Sequence, residues 1–467
     1  MSSKHDKPLV ALIGTLDTKQ AEYQFATSWL ETHGCNVVIL DASTQVPLEG
    51  PFSFDLGGNS KLYRPKELLE AHLKSTGATI PTERSAVREA LREVCLHKLS
   101  QLHASEALDA IASFGGSQNT AFATSIMRDT TFPIGLPKFM LTTMASGDVS
   151  EYFGESDICI MPSVGDISGS LNAITLTTLQ SALAAISGMA HAWYSSKQQS
   201  ASSPAYGNDH KPMVGISMFG VTTIAVNQIS DLLKHKGYEP VAFHATGSGG
   251  RSMERLIREG FFAAVIDLTT TEICDHLYGG VLSAGSDRLT AAAEQGLPQI
   301  VSVGALDMIN FGSLSSLPSQ YKLKNSTDKG PLHHTEEGTP VYEHNSQVTL
   351  VRISRAQCKE LGEYLVSNLL KGLDRLPQGR KAAPIKIVFP KTGISAMDGA
   401  EGIWDDPEAR SALLNSLQAT LEKKLQERSH QIPISIESHE YHINSPNFAK
   451  IVVDEAIKLI SNSRKGL

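Results

Sequence analysis

The sequence predicts an α/β protein of two domains, each a mostly parallel sheet with helices on both faces. Three observations carry this reading. Short apolar runs alternate with amphipathic stretches along the whole chain, the pattern of parallel strands covered by helices. Glycine is frequent, at 37 of 467 residues, while aromatics make up only 6%. That balance suits many tight strand-to-helix turns and argues against a base- or sugar-stacking surface. Residues 194–212 are rich in Ser, Gln, Pro and Gly and lack apolar periodicity, so they read as a linker between domains 1–193 and 213–467.

The elements follow in order. Leu9–Ile13 is a continuous apolar run, as a strand buried on both faces requires. Asp17 and Gln20 have capping-box spacing, which starts a helix at Thr18. Ala21, Phe25 and Trp29 then share one face, and Gly34 suits the end. Val37–Leu40 is the second strand, closing at Asp41. Helices are predicted near 65–75 and 83–103, strands at 108–114, 137–142 and 157–161, and a long helix over 170–191. In the second half, strands read at 213–217, 239–244, 262–267 and 299–303. Helices lie between them at 222–236, 250–259 and 286–295. Later strands fall at 348–353, 385–389 and 432–436, with helices near 355–371, 406–425 and 446–461. Residues 322–347 read as a long surface loop.

Composition excludes several classes. At 41% hydrophobic and 19% charged, the chain carries too much core for disorder. A net charge of −8, with basic features no longer than Lys234 to Lys236 and Arg464-Lys465, does not suit a nucleic-acid binder. Five scattered cysteines without a CxxC pair point away from a disulfide framework and toward a reducing compartment. The most apolar stretch, Leu171 to Trp193, is broken by Asn172, Gln180 and several hydroxyls. It reads as a buried helix, so no membrane association is expected and the expected location is cytoplasmic.

Ligands of open parallel sheets sit beyond the carboxyl ends of the strands, and four loops of the first domain collect polar residues there. Gly14-Thr15-Leu16-Asp17-Thr18-Lys19 combines a tight turn, a helix start and a cation, which suits an anion; an ordinary turn capped by Asp17 is the competing reading. It matches neither a Walker A loop nor GxGxxG. Asp41, at the next strand end, is placed to reach a ribose hydroxyl. Gly115-Gly116-Ser117 before a polar helix makes a phosphate cradle. Ser146-Gly147-Asp148 and the Ser163 to Gly169 loop complete the set.

The second domain is denser still. His244-Ala-Thr-Gly247-Ser-Gly249-Gly250-Arg251 follows a strand and opens a helix, and Arg251 can clamp a carboxylate or phosphate. Asp267, Thr270, Thr271 and Glu272 close the next strand. Asp267 and Glu272 are candidate bases or metal ligands, with helix capping as the alternative. Gly279-Gly280 and Gly304 to Asn310 add two more loops. His333, His334, His344, His439 and His442 follow no zinc spacing and read as structural or solvated. No GxSxG is present, so a serine hydrolase of that kind is not supported.

These loops resemble a known family. GTLDTK at 14–19, FGGS at 114–117, MASGD at 144–148 and the Ser163–Asp166 region match its N-terminal pattern. MFGVTT at 218–223, HATGSGGRSME at 244–254, DLTTTE at 267–272, GALDMINFG at 304–312, DPEAR at 406–410 and HIN at 442–444 match its C-terminal one. It is the tomato mosaic virus resistance protein family, through its ATP-binding, inhibitory domain and the bacterial and fungal relatives of that domain. The resemblance covers roughly Leu9 to Ile460. It implies two Rossmann-like domains, a cytosolic homodimer, and binding of ATP with Mg2+. Phosphates would then lie on Lys19, Gly115, Gly116 and Ser117, with Asp17 or Asp148 nearest the metal. An enzyme acting on a small acidic metabolite, through Arg251, Asp267 and Glu272, and a non-catalytic ATP-gated interaction protein are both compatible with it.

Overall fold

In a computed structural model, which describes residues 6–44, 54, 56, 60–76, 80–200, 211–324, 330–428 and 432–465, the chain divides into two compact units, Met1–His210 and Lys211–Leu467. The first contains β1 (Leu9–Gly14), α1 (Leu16–Thr32), β2 (Asn36–Asp41), β3 (Lys61–Tyr63), α2 (Pro65–Thr76), α3 (Arg84–Ala104), β4 (Ala110–Gly115), α4 (Ser117–Met127), β5 (Lys138–Thr142), α5 (Ser150–Phe153), β6 (Cys159–Pro162) and α6 (Ala173–Ser200). Its six strands are all parallel, in the order β3-β2-β1-β4-β5-β6. This is the Rossmann order, with its switch point between β1 and β4. Side chains of β1 alternate between the two faces. Val10 and Leu12 pack under α1 and α6, against Ala26, Leu30, Leu183 and Ile186. Ala11 and Ile13 pack under α3 and α4, against Leu91, Cys95, Ala123 and Ile126.

Helix α6 is long and apolar enough to cross a membrane by length and composition. Its Leu179, Ala182, Leu183, Ile186 and Ala190 are buried on the sheet, but only one face is covered and Ile174 is exposed, so α6 is a half-buried helix rather than the buried one expected. It runs on to Ser200, so residues 194–200 of the expected linker are helical, and 201–210 lie outside the described residues. Helix α1 starts at Leu16 rather than Thr18, with Thr15 at its N-cap.

The second unit contains β7 (Met213–Met218), α7 (Thr223–His235), β8 (Glu239–His244), α8 (Ser248–Arg258), β9 (Ala264–Thr269), α9 (Glu272–Tyr278), α10 (Ala291–Glu294), β10 (Gln299–Gly304), β11 (Met308–Phe311), β12 (Leu332–His334), β13 (Pro340–Asn345), β14 (Val348–Arg352), α11 (Arg355–Asp374), β15 (Ile385–Pro390), α12 (Pro407–Glu427), β16 (Ile434–His439) and α13 (Pro446–Lys465). Its parallel sheet runs β16-β15-β10-β9-β7-β8. Counting only these six strands, that order is 6-5-4-3-1-2, the flavodoxin-like arrangement with one strand more, and its switch point lies between β7 and β9. Helices α7 and α13 cover one face through Val226, Ile229, Phe448 and Val452. Helices α11 and α12 cover the other through Leu361, Leu365, Leu413 and Leu417.

Two expectations change here. The loop expected over 322–347, of which 325–329 lie outside the described residues, contains two strands: β12 and β13 pair antiparallel and join β14 and β11 in a second, four-stranded sheet. Val341 and Val351, paired across it, bury into the core behind α11. The helix expected over 286–295 shrinks to Ala291–Glu294, because the backbone before it wraps a buried carboxylate.

Candidate functional site

At the first sheet's switch point a cavity of about 320 Å3 is lined by Thr15, Asp17, Thr18 and Lys19 from the first loop and Gly116, Ser117, Gln118 and Asn119 from the second. Thr44, Arg84 and Arg88 form the remaining polar wall. Lys19 breaks the helical path of α1, with φ −138° and ψ 31°. Its stem lies against Gly115, where an added Cβ would sit 3.2 Å from Lys19 Cε and 2.9 Å from Asn119 Nδ2. Gly115 thus lets the lysine reach the start of α4. That helix begins at Gly116 without any side-chain cap, so its first N–H groups and its positive dipole end face the cavity. Asn119 is buried, and among the described residues neither its Oδ1 nor Asp17 Oδ1 has a hydrogen-bond partner. The site therefore offers cations, backbone donors and two unused acceptors.

Other predicted residues have structural roles. Gly14 makes room for Tyr23, whose ring carbon Cζ would lie 2.0 Å from an added Cβ. The Tyr23 hydroxyl donates to Ile13 O at 2.6 Å and accepts from Phe114 N at 3.0 Å. Burial pushes it up to about 12. This ties β1 to β4 beneath the cavity. Asp41 does not reach the ligand space: it is buried and accepts from Leu16 N and from Ser43, whose hydroxyl in turn accepts from Asp17 N. Asp41 and Ser43 therefore cap α1, and α4 is the helix start left open. Ser146, Gly147 and Asp148 are exposed after β5 and do not line the cavity. Asp148 accepts from Ser150 N at the start of α5, and the Ser150 hydrogen bonds hold its carboxyl low.

Arg84 and Arg88 are the residues sequence reasoning missed. They stand one turn apart at the start of α3, while Val87 and Leu91 face the core. Arginine in a first turn opposes the helix dipole, and that unfavourable placement was the available signal. Arg84 Nε donates to Thr44 Oγ1 at 3.1 Å, which brings it across to the loop after β2.

The second domain's glycine loop already holds an anion, and it is the protein's own. Glu272 Oε1 accepts from Gly247 N at 2.7 Å and Gly250 N at 3.1 Å. A Cβ on Gly250 would fall 2.1 Å from Glu272 Oε2, and one on Gly249 would fall 1.9 Å from His244 O. These glycines admit the chain itself rather than a ligand. Glu272 Oε2 also accepts from Arg288 Nε at 2.8 Å, and Arg288 Nη1 lies 2.6 Å from Asp267 Oδ1 and 3.1 Å from Glu254 Oε1. Arg288 is 1% exposed. The expectation of Asp267 and Glu272 as base or metal ligands is thus corrected: both are sealed around Arg288. Thr270 and Thr271 are buried with them, whereas Arg251 stays exposed and donates to Ser283 O at 2.9 Å. Glu254 is wrapped by Leu289 N and Ala291 N at 2.6 and 2.8 Å, with Leu289 at φ +80°. Burial pushes its carboxyl up to about 6 against the pull of Arg288.

The remaining family-like motifs also knit the fold. Asp307 accepts from Ser395 Oγ and Trp404 Nε1. Asp398 pairs with Arg410 at 2.7 Å and Arg352 at 3.5 Å. His442 Nε2 lies 3.0 Å from both Ser395 O and Asp398 O. Asn444 Nδ2 donates to Val221 O. Among the described residues no group of three or more His, Cys, Asp or Glu is arranged to hold a metal.

Asp275 gives a pH prediction. Its carboxylate accepts from Leu282 N, Asn310 N and Asn310 Nδ2, yet burial outweighs these donors and raises it from 3.8 to about 7. The folded chain then binds this proton more readily than the unfolded one. Its contribution is present in full below the unfolded value and is lost as pH rises through about 7. Urea midpoints of the parent should carry this falling component from about pH 4 to 7, and Asp275→Asn should flatten it. An unchanged pH slope in the variant would remove Asp275 from the account.

Together these features define a two-domain, doubly wound α/β protein with a cationic strand-end cavity in its first domain. The chain belongs to Uncharacterised protein family (UPF0261): the family's N-terminal domain matches residues 8–195 and its C-terminal domain residues 211–460. It is 36% identical over 443 residues to UPF0261 protein mlr3387 of Mesorhizobium japonicum, covering 95% of this chain and 97% of that one. A UPF0261 protein of Clostridium tetani is 33% identical over 456 residues, covering 97% and 98%. The ToMV resistance protein Tm-1(GCR237) of Solanum lycopersicum is 32% identical over 477 residues, covering 99% of this chain and 57% of the plant protein. Among solved structures, UDP-GlcNAc 2-epimerase from Neisseria meningitidis bound to UDP-GlcNAc matches 63% of this chain and 81% of its own at 12% identity, with a TM-score of 0.20.

Proposed function

We propose that the first domain binds ATP or a closely similar phosphorylated nucleotide. The observation that carries this is the uncapped start of α4 opening into a cavity bordered by Lys19, Arg84 and Arg88. A helix N-terminus flanked by fixed cations is an anion site, and three cations suit more than one phosphate. Gly116 adds no side chain to the cavity wall, and Ser117 adds a hydroxyl. Mg2+ would be held mainly by phosphate oxygens and water, as that ion prefers. Asp17, whose Oδ1 has no partner among the described residues, fits as the protein ligand and Asp148, exposed outside the cavity, does not. The metal would neutralise phosphate charge.

A nucleotide-gated binding module is the better reading over an acid–base enzyme working on a small acid through the second domain. The observation that favours it is the burial of Asp267 and Glu272 around Arg288, which keeps both carboxylates away from any substrate that the exposed Arg251 could hold. The five free cysteines suit a reducing cytoplasm, and a homodimer is the assembly proposed. Melting of the parent should rise with ATP and Mg2+, less with AMP, and not with adenosine. An equal rise with adenosine would mean that the phosphate site is not the one in use.

A further inference from the structure

In a sheet of Rossmann order the end of β2 lies beside the ligand crevice. An acid there ordinarily meets a ribose hydroxyl, and an arginine takes its place when that hydroxyl carries a phosphate. In this chain the acid has turned inward. Asp41 is 1% exposed and accepts from Leu16 N and Ser43 Oγ, and it does not line the cavity. Thr44, on the same loop, lines it instead, together with Arg84 and Arg88. Arg84 Nε donates to Thr44 Oγ1 at 3.1 Å, which holds the guanidinium beside the end of β2. Among the described residues neither Arg84 nor Arg88 has a carboxylate partner, whereas Arg92, one turn further along α3, pairs with Glu89 at 2.8 Å. Two arginines without counter-charge therefore meet in one cavity, where Asp17 is the single acid of the lining.

This arginine wall is distinct from the anion site at α4. Strands β2 and β4 are the two neighbours of β1, so their ends stand about 10 Å apart at ordinary strand spacing. One phosphate cannot touch both. A sugar with phosphates on two of its carbons can, its 5′ group at the start of α4 beside Lys19 and its second group near Thr44. Resting on the nucleotide reading above, we propose that the cavity takes a nucleotide phosphorylated on the ribose as well as at the 5′ position, with Arg84 and Arg88 holding the ribose phosphate. Guanidinium groups match phosphate oxygens through paired hydrogen bonds, and the Thr44 contact fixes the plane of one of them. A 2′-phosphorylated dinucleotide and a 3′-phosphorylated carrier share this chemistry. ATP, whose phosphates form one chain, engages chiefly the α4 end, so its affinity should depend more on Lys19 than on the arginines.

Isothermal titration of the full-length protein with 5′-AMP, ADP, adenosine 2′,5′-bisphosphate and adenosine 3′,5′-bisphosphate, at fixed ionic strength, is the test. One of the bisphosphates should bind roughly 10- to 100-fold tighter than 5′-AMP, as one or two charge-assisted bonds give, and tighter than ADP, which has as many phosphates. Whichever it is tells the 2′ class from the 3′ class. Arg84→Ala combined with Arg88→Ala should bring the ratio of bisphosphate to 5′-AMP affinity close to one. Lys19→Ala should weaken both ligands and keep the ratio. Bisphosphates that bind no tighter than ADP would overturn the proposal, as would a preference that survives the double arginine variant or vanishes with Lys19→Ala. Such a result beside intact ATP binding sinks the ribose phosphate alone; absence of binding by every nucleotide, ATP included, sinks the nucleotide reading and this proposal with it.

Discussion

Replacing Arg288 with methionine should cost about 3–5 kcal/mol, the loss expected when one partner of a buried ion group is removed. That is a large share of a typical domain stability of roughly 5–15 kcal/mol, so the variant's urea midpoint should fall well below the parent's. The size of the effect comes from what is left behind. Glu254, Asp267 and Glu272 all contact this one guanidinium and all are buried. Without it, three carboxylates face each other out of water, and they must take up protons or bring water in. Burial already raises Glu254 to about 6 against the pull of Arg288, and without that guanidinium its folded-state value lies further above the unfolded one. Stability of the variant should therefore be best in acid and fall as pH rises. Urea unfolding followed by circular dichroism at pH 5 and pH 8 checks both points. A loss below about 1 kcal/mol, the usual range for an exposed pair, would show that the cluster is not sealed as described.

Removing the cations of the first-domain cavity should have the second largest effect, this time on binding. Lys19→Ala is expected to weaken ATP affinity by roughly 10- to 100-fold, which is about 1.5–3 kcal/mol for one charge-assisted bond. Arg84→Ala and Arg88→Ala should each cost less, because both side chains are exposed and water screens them. The triple variant should lose binding altogether. None of the three side chains is in the core, so the folded state should persist, and an unchanged circular dichroism spectrum would confirm that the loss is local. Affinity of the parent should also fall with added salt.

Much of the fold was legible because its signal is local. The run Leu9–Ile13 and the four-residue spacing of Ala21, Phe25 and Trp29 need only neighbouring residues to declare a strand and a helix. The first-domain site was half legible for the same reason. Lys19, Gly116 and Ser117 sit on strand-end loops that any parallel sheet brings to one edge. Arg84 and Arg88 were not seen, since their place at the cavity depends on how α3 packs, and the one local hint, an arginine at a helix start, does not say what it faces. The second domain misled for a physical reason. A glycine loop, an arginine and two acids have the same local chemistry whether they hold a ligand or each other. Arg288 decides between these, and it is 16 residues from Glu272 in a stretch that reads as a helix. The antiparallel strands β12 and β13 were hidden because a polar hairpin resembles a surface loop until its pairing partner is known.

The central claim is that nucleotide phosphates bind at the open start of α4. Isothermal titration of the full chain with ATP and Mg2+ tests it most directly, run beside Lys19→Ala and Arg251→Ala. The account predicts saturable heat for the parent, a much weaker isotherm for Lys19→Ala, and an unchanged one for Arg251→Ala, since Glu272 already fills the loop that carries that arginine. No heat with the parent, or binding lost in Arg251→Ala and kept in Lys19→Ala, would contradict it.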